Sequence, residues 1–506
     1  MLEHSVTTLA GVCLAVLLLV HAIQSTIVAV RRNAMKRKNG CAEIPSLGRF
    51  YIGVLPEMIR TERNGTRFLE AINRFDKHGH TVKILVAGTT YVLTRDPANF
   101  KAVLSTHFNN FSVNRKASLG SFFGHGIFTS DGEEWSYART MIRPQFRRQM
   151  IDRLTNLETH FQDLVDAIDR GKGPVDMQEL FHKLTFDTGT DFLFGQSTLS
   201  LRSDEPHPWV EAFDECLVWA VFRVYAGRLG PLLITPACRR SFTNLKSFAN
   251  QYVDVALKNR AERIARGEKV NTERYIFLDA MAEENQNYTF LRDQALNMLI
   301  AARDTTALVL TWALYSLAAN PQVLAKLRTE VVERFGTSLN EPGKTEFTFD
   351  SLKSLEYMRA VLNETLRMYP SLPQNMRTAT TDLIMPTGGG PDGKQPFLVK
   401  KGENLVLNIY AMQRRKDLYG EDADEFKPER WLEKGNRTWD FVPFNGGPRI
   451  CIGQQFALIE ASFMISRLVQ QYNYFELCED QSGPPKLNSQ VVLFKGEGLH
   501  MRFHNK

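Results

Sequence analysis

The chain has 506 residues, 43% of them hydrophobic and 10% aromatic, enough apolar material to bury a large core and too much for a disordered protein. Lys and Arg number 62 against 56 Asp and Glu, a formal net charge of +6, but the excess gathers at the N-terminus, where Arg31, Arg32, Lys36, Arg37 and Lys38 stand against Glu3 alone. A body near charge balance excludes a broad nucleic-acid-binding surface, and the cysteines (Cys13, Cys41, Cys216, Cys238, Cys451 and Cys478) have no CxxC spacing, so they offer neither a zinc site nor a disulfide framework.

The first element is apolar. Residues 5–30, SVTTLAGVCLAVLLLVHAIQSTIVAV, carry no charge, and as a helix rising ~1.5 Å per residue they are long enough to cross a hydrocarbon core of ~30 Å. A secretory signal is the alternative reading, since His21, Gln24, Ser25 and Thr26 weaken the second half of the segment. The flanks favour an anchor: Glu3 and His4 make no positive leader, and the basic cluster lies on the C-terminal side, which the positive-inside rule places in the cytoplasm. The expected organisation is a single-pass anchor at residues 1–30, a basic hinge at 31–45 and one large domain at 46–506. That domain faces the cytosol, which leaves the sequons at Asn64, Asn110, Asn287, Asn363 and Asn436 unglycosylated.

Within the domain, TVKILVAGTTYVLT (residues 81–94) reads as two short β-runs separated by Gly88, Thr89 and Thr90, a hairpin. From Asp96 to Arg334 the pattern is mostly helical, with breaks at residues 171–174, 206–208, 230–236 and 267–272. The strongest helix runs from Leu291 to Ala319 and is closed by Asn320 and Pro321; another spans Ser351 to Met368. Short strands follow in PFLVKKGENLVLNIY, and VVLFKGEGLHMRFH reads as a last hairpin. No repeat or long linker divides the body, so the fold class is mainly α with small β-sheets.

The chemistry concentrates in FVPFNGGPRICIGQQF, residues 441–456. Gly446 and Gly447 allow backbone geometry closed to other residues, Pro448 stiffens the turn, and a helix-like run begins at Ile452. Such a loop presents Cys451 beside backbone donors and a helix N-terminus, which favour the thiolate and lower its pKa. A buried structural cysteine is the plain alternative. Upstream, ETLR puts Glu364 and Arg367 on one helical face, FKPERW supplies Arg430, WSYAR puts Trp135 and Arg139 one turn apart, and AARDTT puts Ala301, Asp304 and Thr305 on one face of the long helix. There the Thr305 hydroxyl has a purely structural option, a bond back to the Ala301 carbonyl.

Phe444, Gly447, Arg449, Cys451 and Gly453 together resemble the FxxGxRxCxG haem-ligand loop of the cytochrome P450 monooxygenases. The resemblance runs from the N-terminal anchor to the final strands. It implies the P450 fold and haem b (iron protoporphyrin IX) with Cys451 as axial thiolate, a ligand that favours O–O cleavage, with Phe444 beside it. It implies propionate contacts from Trp135, Arg139, Arg377 and Arg449, a structural Glu364–Arg367–Arg430 triad, and roles for Thr305 and Asp304 in oxygen activation and proton relay, with a local distortion of the helix beside them. Ala302 stands where the family usually has glycine. Residues 387–431 and 441–462 further resemble the fungal branch of alkane and fatty-acid hydroxylases. That resemblance implies terminal (omega) hydroxylation of a lipophilic substrate at the endoplasmic reticulum membrane, with electrons from an NADPH-dependent cytochrome P450 reductase. The alternative is a tailoring oxidation in a fungal secondary-metabolite pathway.

Overall fold

The computed structural model describes residues 2–47, 54–86, 88–148, 154–171, 173–203, 205, 207–225, 235–268, 275–433, 438–481, 483–489 and 491–505. The chain divides into two compact units. The first comprises Met1–Ile52, Asn73–Phe111 and Met376–Leu407, and the second comprises Gly53–Ile72, Ser112–Asn375 and Asn408–Lys506.

In the first unit the apolar segment forms one helix, Leu2–Lys38. Its portion from Gly11 to Lys38 is long and apolar enough to cross a membrane, and none of its most apolar window is buried. The helix does not stop at residue 30. The basic residues assigned to a hinge continue it, since a terminal run of cations is favoured by the partial negative charge at a helix C-terminus, and Gly40 in the left-handed region (φ 61°) closes it. The rest of the expected hinge is fastened by backbone bonds, Ala42 N–H to the Pro396 carbonyl at 2.9 Å and Gly390 N–H to the Glu43 carbonyl at 3.0 Å. Arg32 adds a bidentate pair with Asp382, at 2.8 and 2.9 Å. The predicted hairpin is present as antiparallel strands Thr81–Val86 and Thr89–Thr94, joined by a tighter turn than expected because Thr89 and Thr90 belong to the second strand. That strand continues the sheet by parallel pairing of Tyr91–Thr94 with Asn404–Leu407.

The second unit is helical around one long element, Tyr288–Ala319. It starts three residues before the sequence pattern suggests because the Asn287 side chain caps it, accepting from Phe290 N–H at 2.9 Å. A helix apolar on nearly all faces must be central, and from Leu291 to Leu317 almost every residue is buried. Trp312, fully buried, stacks on Tyr369 at 4.1 Å between ring centroids and donates its indole N–H to the Leu493 carbonyl at 2.8 Å. The helix expected from Ser351 to Met368 is two helices, Phe349–Lys353 and Glu356–Met368; a capping box between Thr348 and Ser351 starts the first. The expected final hairpin is also replaced: Leu493–Lys495 pairs with Leu487–Ser489, whereas His500–Asn505 pairs with Tyr472–Leu477 and with Val175–Asp176. The Gly496–Gly498 turn therefore joins two different sheets.

Glu364 ties the helix Glu356–Met368 to the segment that leads to Cys451. Its carboxylate, fully buried, accepts from Arg367 Nε and Nη2 (2.8 and 2.9 Å), Arg430 Nε (2.9 Å), Trp431 Nε1 (2.9 Å) and the Lys427 N–H (2.9 Å). Burial alone would raise its pKa; the Arg367 guanidinium, the Lys427 amide and Arg430 overcome this and hold it below the ordinary glutamate value. A depressed carboxylate contributes stability that is complete above its unfolded pKa of ~4.3 and is lost as pH falls through the lower folded value. Glu364→Ala leaves Arg367 buried without its counter-charge, a cost of about 3–5 kcal/mol against a typical total of ~5–15 kcal/mol. The expected outcome, followed by circular dichroism during thermal unfolding, is a large loss of Tm or of the cooperative transition, with the wild type approaching the variant as the solution is acidified.

Candidate active site

The loop before Cys451 has its shape for local reasons. Gly447 sits at φ 64° and Asn445 at φ 66°, the left-handed region that glycine enters freely and asparagine tolerates. Asn445 holds the turn by donating to the Arg449 carbonyl at 3.2 Å. Gly446 is needed for space, because a Cβ there would lie 2.6 Å from the Trp439 ring. Cys451 N–H donates to the Phe444 carbonyl at 3.0 Å, closing the loop, and the helix Gln454–Gln471 starts beyond it.

Cys451 is exposed by surface area, yet burial dominates its titration and pushes the thiol up, against smaller downward pulls from the Gly453 amide and Arg139. Exposure without bulk solvation means that the sulfur opens onto an internal hollow. The expected lowering of the cysteine pKa is therefore not seen. The backbone donor acts in that direction but is outweighed, and a coordinating metal cation is what deprotonates a thiol in such a place.

A cluster of cations lies close by. Arg449 donates to the Ser130 carbonyl (2.6 Å) and Asp131 Oδ1 (2.9 Å), and its guanidinium lies 4.5 Å from the Trp135 ring centre; Arg139 lies 5.8 Å from the same ring. Trp135 and Arg139 are one turn apart on the helix Gly132–Arg148. The third member, Arg115, was missed by sequence reasoning. It stacks on Phe128 at 4.1 Å and donates to the Phe128 carbonyl at 3.2 Å and the Asn375 side chain at 3.4 Å. Burial, reinforced by repulsion from Arg449, lowers Arg115 to about 10; burial, reinforced by Arg139, lowers Arg449 to about 10. Asp131 is the carboxylate that opposes both shifts. It was also missed, and it accepts from Ser112 Oγ (2.6 Å) and Val113 N–H (3.0 Å) as well as from Arg449. Guanidiniums driven this far below their usual range form a place prepared for an anion. Arg377 belongs to the first unit, on the strand Gln374–Ala379, where it is buried and donates to the Met376 carbonyl at 2.8 Å.

The long helix is continuous through AARDTT, without the distortion expected there. Between Leu291 and Leu317 the one exposed residue is Ala301, with Ala302 and Thr305 half-buried. A gap in the covering of an otherwise enclosed helix again marks a hollow. The Thr305 hydroxyl donates to the Ala301 carbonyl at 2.6 Å, and the Thr305 carbonyl accepts from Ser371 Oγ at 3.1 Å. Asp304 does not share the open face with Ala301 and Thr305. It is buried, 3.4 Å from Arg303 and 3.8 Å from His182.

Among the described residues no group of three His, Cys, Asp or Glu could hold a bare metal ion. One thiol, a nearby cation cluster and hollow space instead fit a large planar group that brings its own equatorial ligands and carries anionic arms, as haem does. A cavity of about 530 Å³ near the start of the long helix, lined by Lys246, Tyr137 and Asp293 among others, contains none of the predicted site residues.

The family model for cytochrome P450 matches residues 46–502. The chain is 39% identical to cytochrome P450 52A12 of Debaryomyces hansenii over 97% of each protein, and 41% identical to cytochrome P450 52A10 of Candida maltosa over 82% of each. It is 39% identical to cytochrome P450 52A6 of Candida tropicalis, over 99% of this chain and 97% of that one. The crystal structure of a cytochrome P450DA heme domain shares the fold, with a TM-score of 0.76 and 22% identity over 92% of this chain and 98% of that one. With an opened thiol, clustered arginines and matches of this length, the chain belongs to the cytochrome P450 family, and it is a haem-thiolate monooxygenase.

Proposed function

We propose that this enzyme hydroxylates the terminal or near-terminal carbon of fatty acids or n-alkanes, R–H + O₂ + 2e⁻ + 2H⁺ giving R–OH + H₂O. We further propose that residues 46–506 act as one catalytic domain on the cytosolic side of the endoplasmic reticulum membrane and receive NADPH-derived electrons from a cytochrome P450 reductase. P450 chemistry requires a redox partner, and the apolar N-terminal helix with its basic C-terminal end supports an anchor oriented toward the cytosol. The observation that carries the substrate class is identity near 40% along nearly the whole chain to several yeast 52A proteins, together with the likeness of residues 387–431 and 441–462 to fungal alkane and fatty-acid hydroxylases. A substrate that partitions into lipid reaches an anchored enzyme without crossing water.

Haem supplies, when bound, the iron at which dioxygen is activated and the C–H bond oxidised. The chain's own residues do the rest. Cys451 would provide the sulfur that holds the iron, with the Gly453 amide and Arg139 favouring its anion. Trp135, Arg139, Arg377 and Arg449 hold the propionates, joined by Arg115, whose lowered pKa recovers as the anions arrive. Phe444, whose carbonyl accepts from the Cys451 N–H, would pack beside the sulfur. Thr305 releases the Ala301 carbonyl and turns its hydroxyl into the opening at Ala301, and Asp304 passes protons to it.

Turnover of a chain-length series of fatty acids and alkanes by the enzyme and a P450 reductase is expected to give terminal alcohols; internal alcohols alone would overturn the substrate assignment and leave the class intact. Cys451→Ala is expected to abolish the reduced carbon-monoxide band near its thiolate position together with turnover. Arg115→Ala removes a charge-assisted contact of ~1.5–3 kcal/mol, so haem transfer to apomyoglobin should be about tenfold faster or more, and an unchanged rate would remove Arg115 from the propionate site. Thr305→Ala should leave NADPH consumption running while product formed per NADPH drops.

A further inference from the structure

We propose that His182 is the proton-loading partner of Asp304, the two sharing one dissociable proton that reloads the Asp304 carboxyl during turnover. This rests on the role assigned to Asp304 above and adds a residue to it. His182 lies on the helix Met177–Phe194, which packs along the long helix more extensively than any other element. Its Nδ1 lies 2.7 Å from the Gln178 carbonyl, one turn back. A carbonyl only accepts, so Nδ1 carries the hydrogen, and in the neutral ring Nε2 is a bare acceptor. That Nε2 faces Asp304 Oδ1 at 3.8 Å, and neither atom has a hydrogen-bond partner although both are buried.

Two acceptors facing each other in a low-dielectric site repel, and Arg303 Nη1, 3.4 Å from the same Oδ1 but not hydrogen-bonded to it, offsets this only in part. One proton between them removes the repulsion: on Nε2 it makes an imidazolium paired with a carboxylate, and on Oδ1 it makes a carboxylic acid donating to a neutral ring. The surroundings act on the ring in both directions. Burial pushes His182 down, Asp304 and the Gln178 carbonyl pull it up, and Arg303 pushes it down again. The charged groups facing it come from two neighbours, Asp304 and Arg303 on the long helix and Asp214 on the helix Pro208–Tyr225. On a third, the strand Leu493–Lys495, Phe494 stacks against the ring at 5.7 Å while Lys495 is turned to Gln481 and the Gly498 carbonyl. On its own helix Lys183 is paired with Glu179. Arg303 is not free to serve Asp304 fully, being bonded through both Nη atoms to Asp214 and lying 5.0 Å from the Phe213 ring.

The step is balanced as a transfer: the N–H bond at Nε2 breaks, the O–H bond at Oδ1 forms, and the bonding electron pair stays on nitrogen. The neutral ring regains its proton from bulk water, which reaches the enclosed Nε2 only when its contact with Asp304 opens, the side chain as a whole being 14% exposed. The reaction consumes two protons per turnover, so a carboxyl that has given one up must be reloaded before the next.

The test uses the full-length enzyme with a P450 reductase and the best-converted member of the chain-length series, measuring product per NADPH, the solvent isotope effect on product formation and the pH dependence of both. His182→Phe keeps the stack on Phe494 and removes the proton site. His182→Gln keeps a donor for Asp304 but cannot pass a proton on. Both are expected to retain the reduced carbon-monoxide band, to lose about tenfold in product per NADPH, less than the ~10²–10⁴ of a direct general acid because His182 acts through Asp304, and to raise the solvent isotope effect. In the wild type, product per NADPH should fall as rising pH strips the shared proton; in both variants that dependence should be gone. Wild-type coupling in His182→Gln would mean a structural contact and overturn the proposal, and if His182→Phe does not fold, His182→Gln decides alone. Asp304→Asn separates the two readings. Uncoupling there without uncoupling in the His182 variants overturns only this inference, whereas normal coupling in Asp304→Asn overturns the role of Asp304 itself.

Discussion

A carboxylate without solvent access cannot stay charged unless its surroundings replace water donor for donor, and Glu364 meets that condition with two guanidiniums, an indole and a backbone amide. The donors come from two stretches, Arg367 on the carboxylate's own helix and residues 427–431, so satisfying the charge fixes the second stretch against the first. Arg367 reaches beyond the carboxylate to the carbonyls of Gln413 (2.9 Å), Ala423 (2.7 Å) and Glu425 (3.1 Å), and Arg430 reaches to those of Tyr419 (3.1 Å) and Asp422 (3.0 Å). Loop backbone that has no sheet or helix to pair with is thereby held at a definite position. This is the segment that runs on toward the cysteine loop, so a buried ionic centre with no chemistry of its own gives the thiol a fixed base.

The site itself is assembled on an opposite principle. Around Glu364 the charges cancel; around Trp135 they do not. Arg115, Arg139 and Arg449 all lie below their usual range, opposed by Asp131 at Arg115 and Arg449 and by Cys451 at Arg139, and Cys451 is pushed toward its neutral form. Haem held as proposed would relieve both imbalances, the guanidiniums meeting its anionic arms and Cys451 its metal. The free energy released there would then appear as cofactor affinity, and folding of this region would be linked to haem.

Legibility from sequence followed the range of the forces involved. The cysteine loop could be read because its constraints are local: a left-handed position at Gly447, a missing Cβ at Gly446 and a helix start just beyond. The Glu364–Arg367 pair and the Trp135–Arg139 turn could be read because helical spacing fixes them, whereas Arg430, on a separate segment, came only from the family resemblance. Arg115 could not, because an arginine before a short helix is ordinary until burial and the nearness of Arg449 are known. The last hairpin was misread for the same reason. A glycine turn between two β-rich runs says that the chain reverses, but which strand receives each arm is decided by partners such as Tyr472–Leu477, more than twenty residues upstream. The split of the Ser351–Met368 helix escaped notice because its apolar period passes through the break at Ser354 and Leu355.

The N-terminal helix carries the same lesson into the membrane. A chain that left the bilayer through a flexible tether would let the attached sheet take any tilt. Here the helix carries its basic end out without a break, Arg32 grips Asp382 with two bonds, and the next residues join the strands Leu383–Gly389 and Gln395–Val399 by backbone pairing. Bidentate geometry fixes direction as well as distance, and half-buried partners are screened less than exposed ones. In the proposed anchored state, the tilt that the basic collar helps to set would therefore be handed to the sheet that the helix grips.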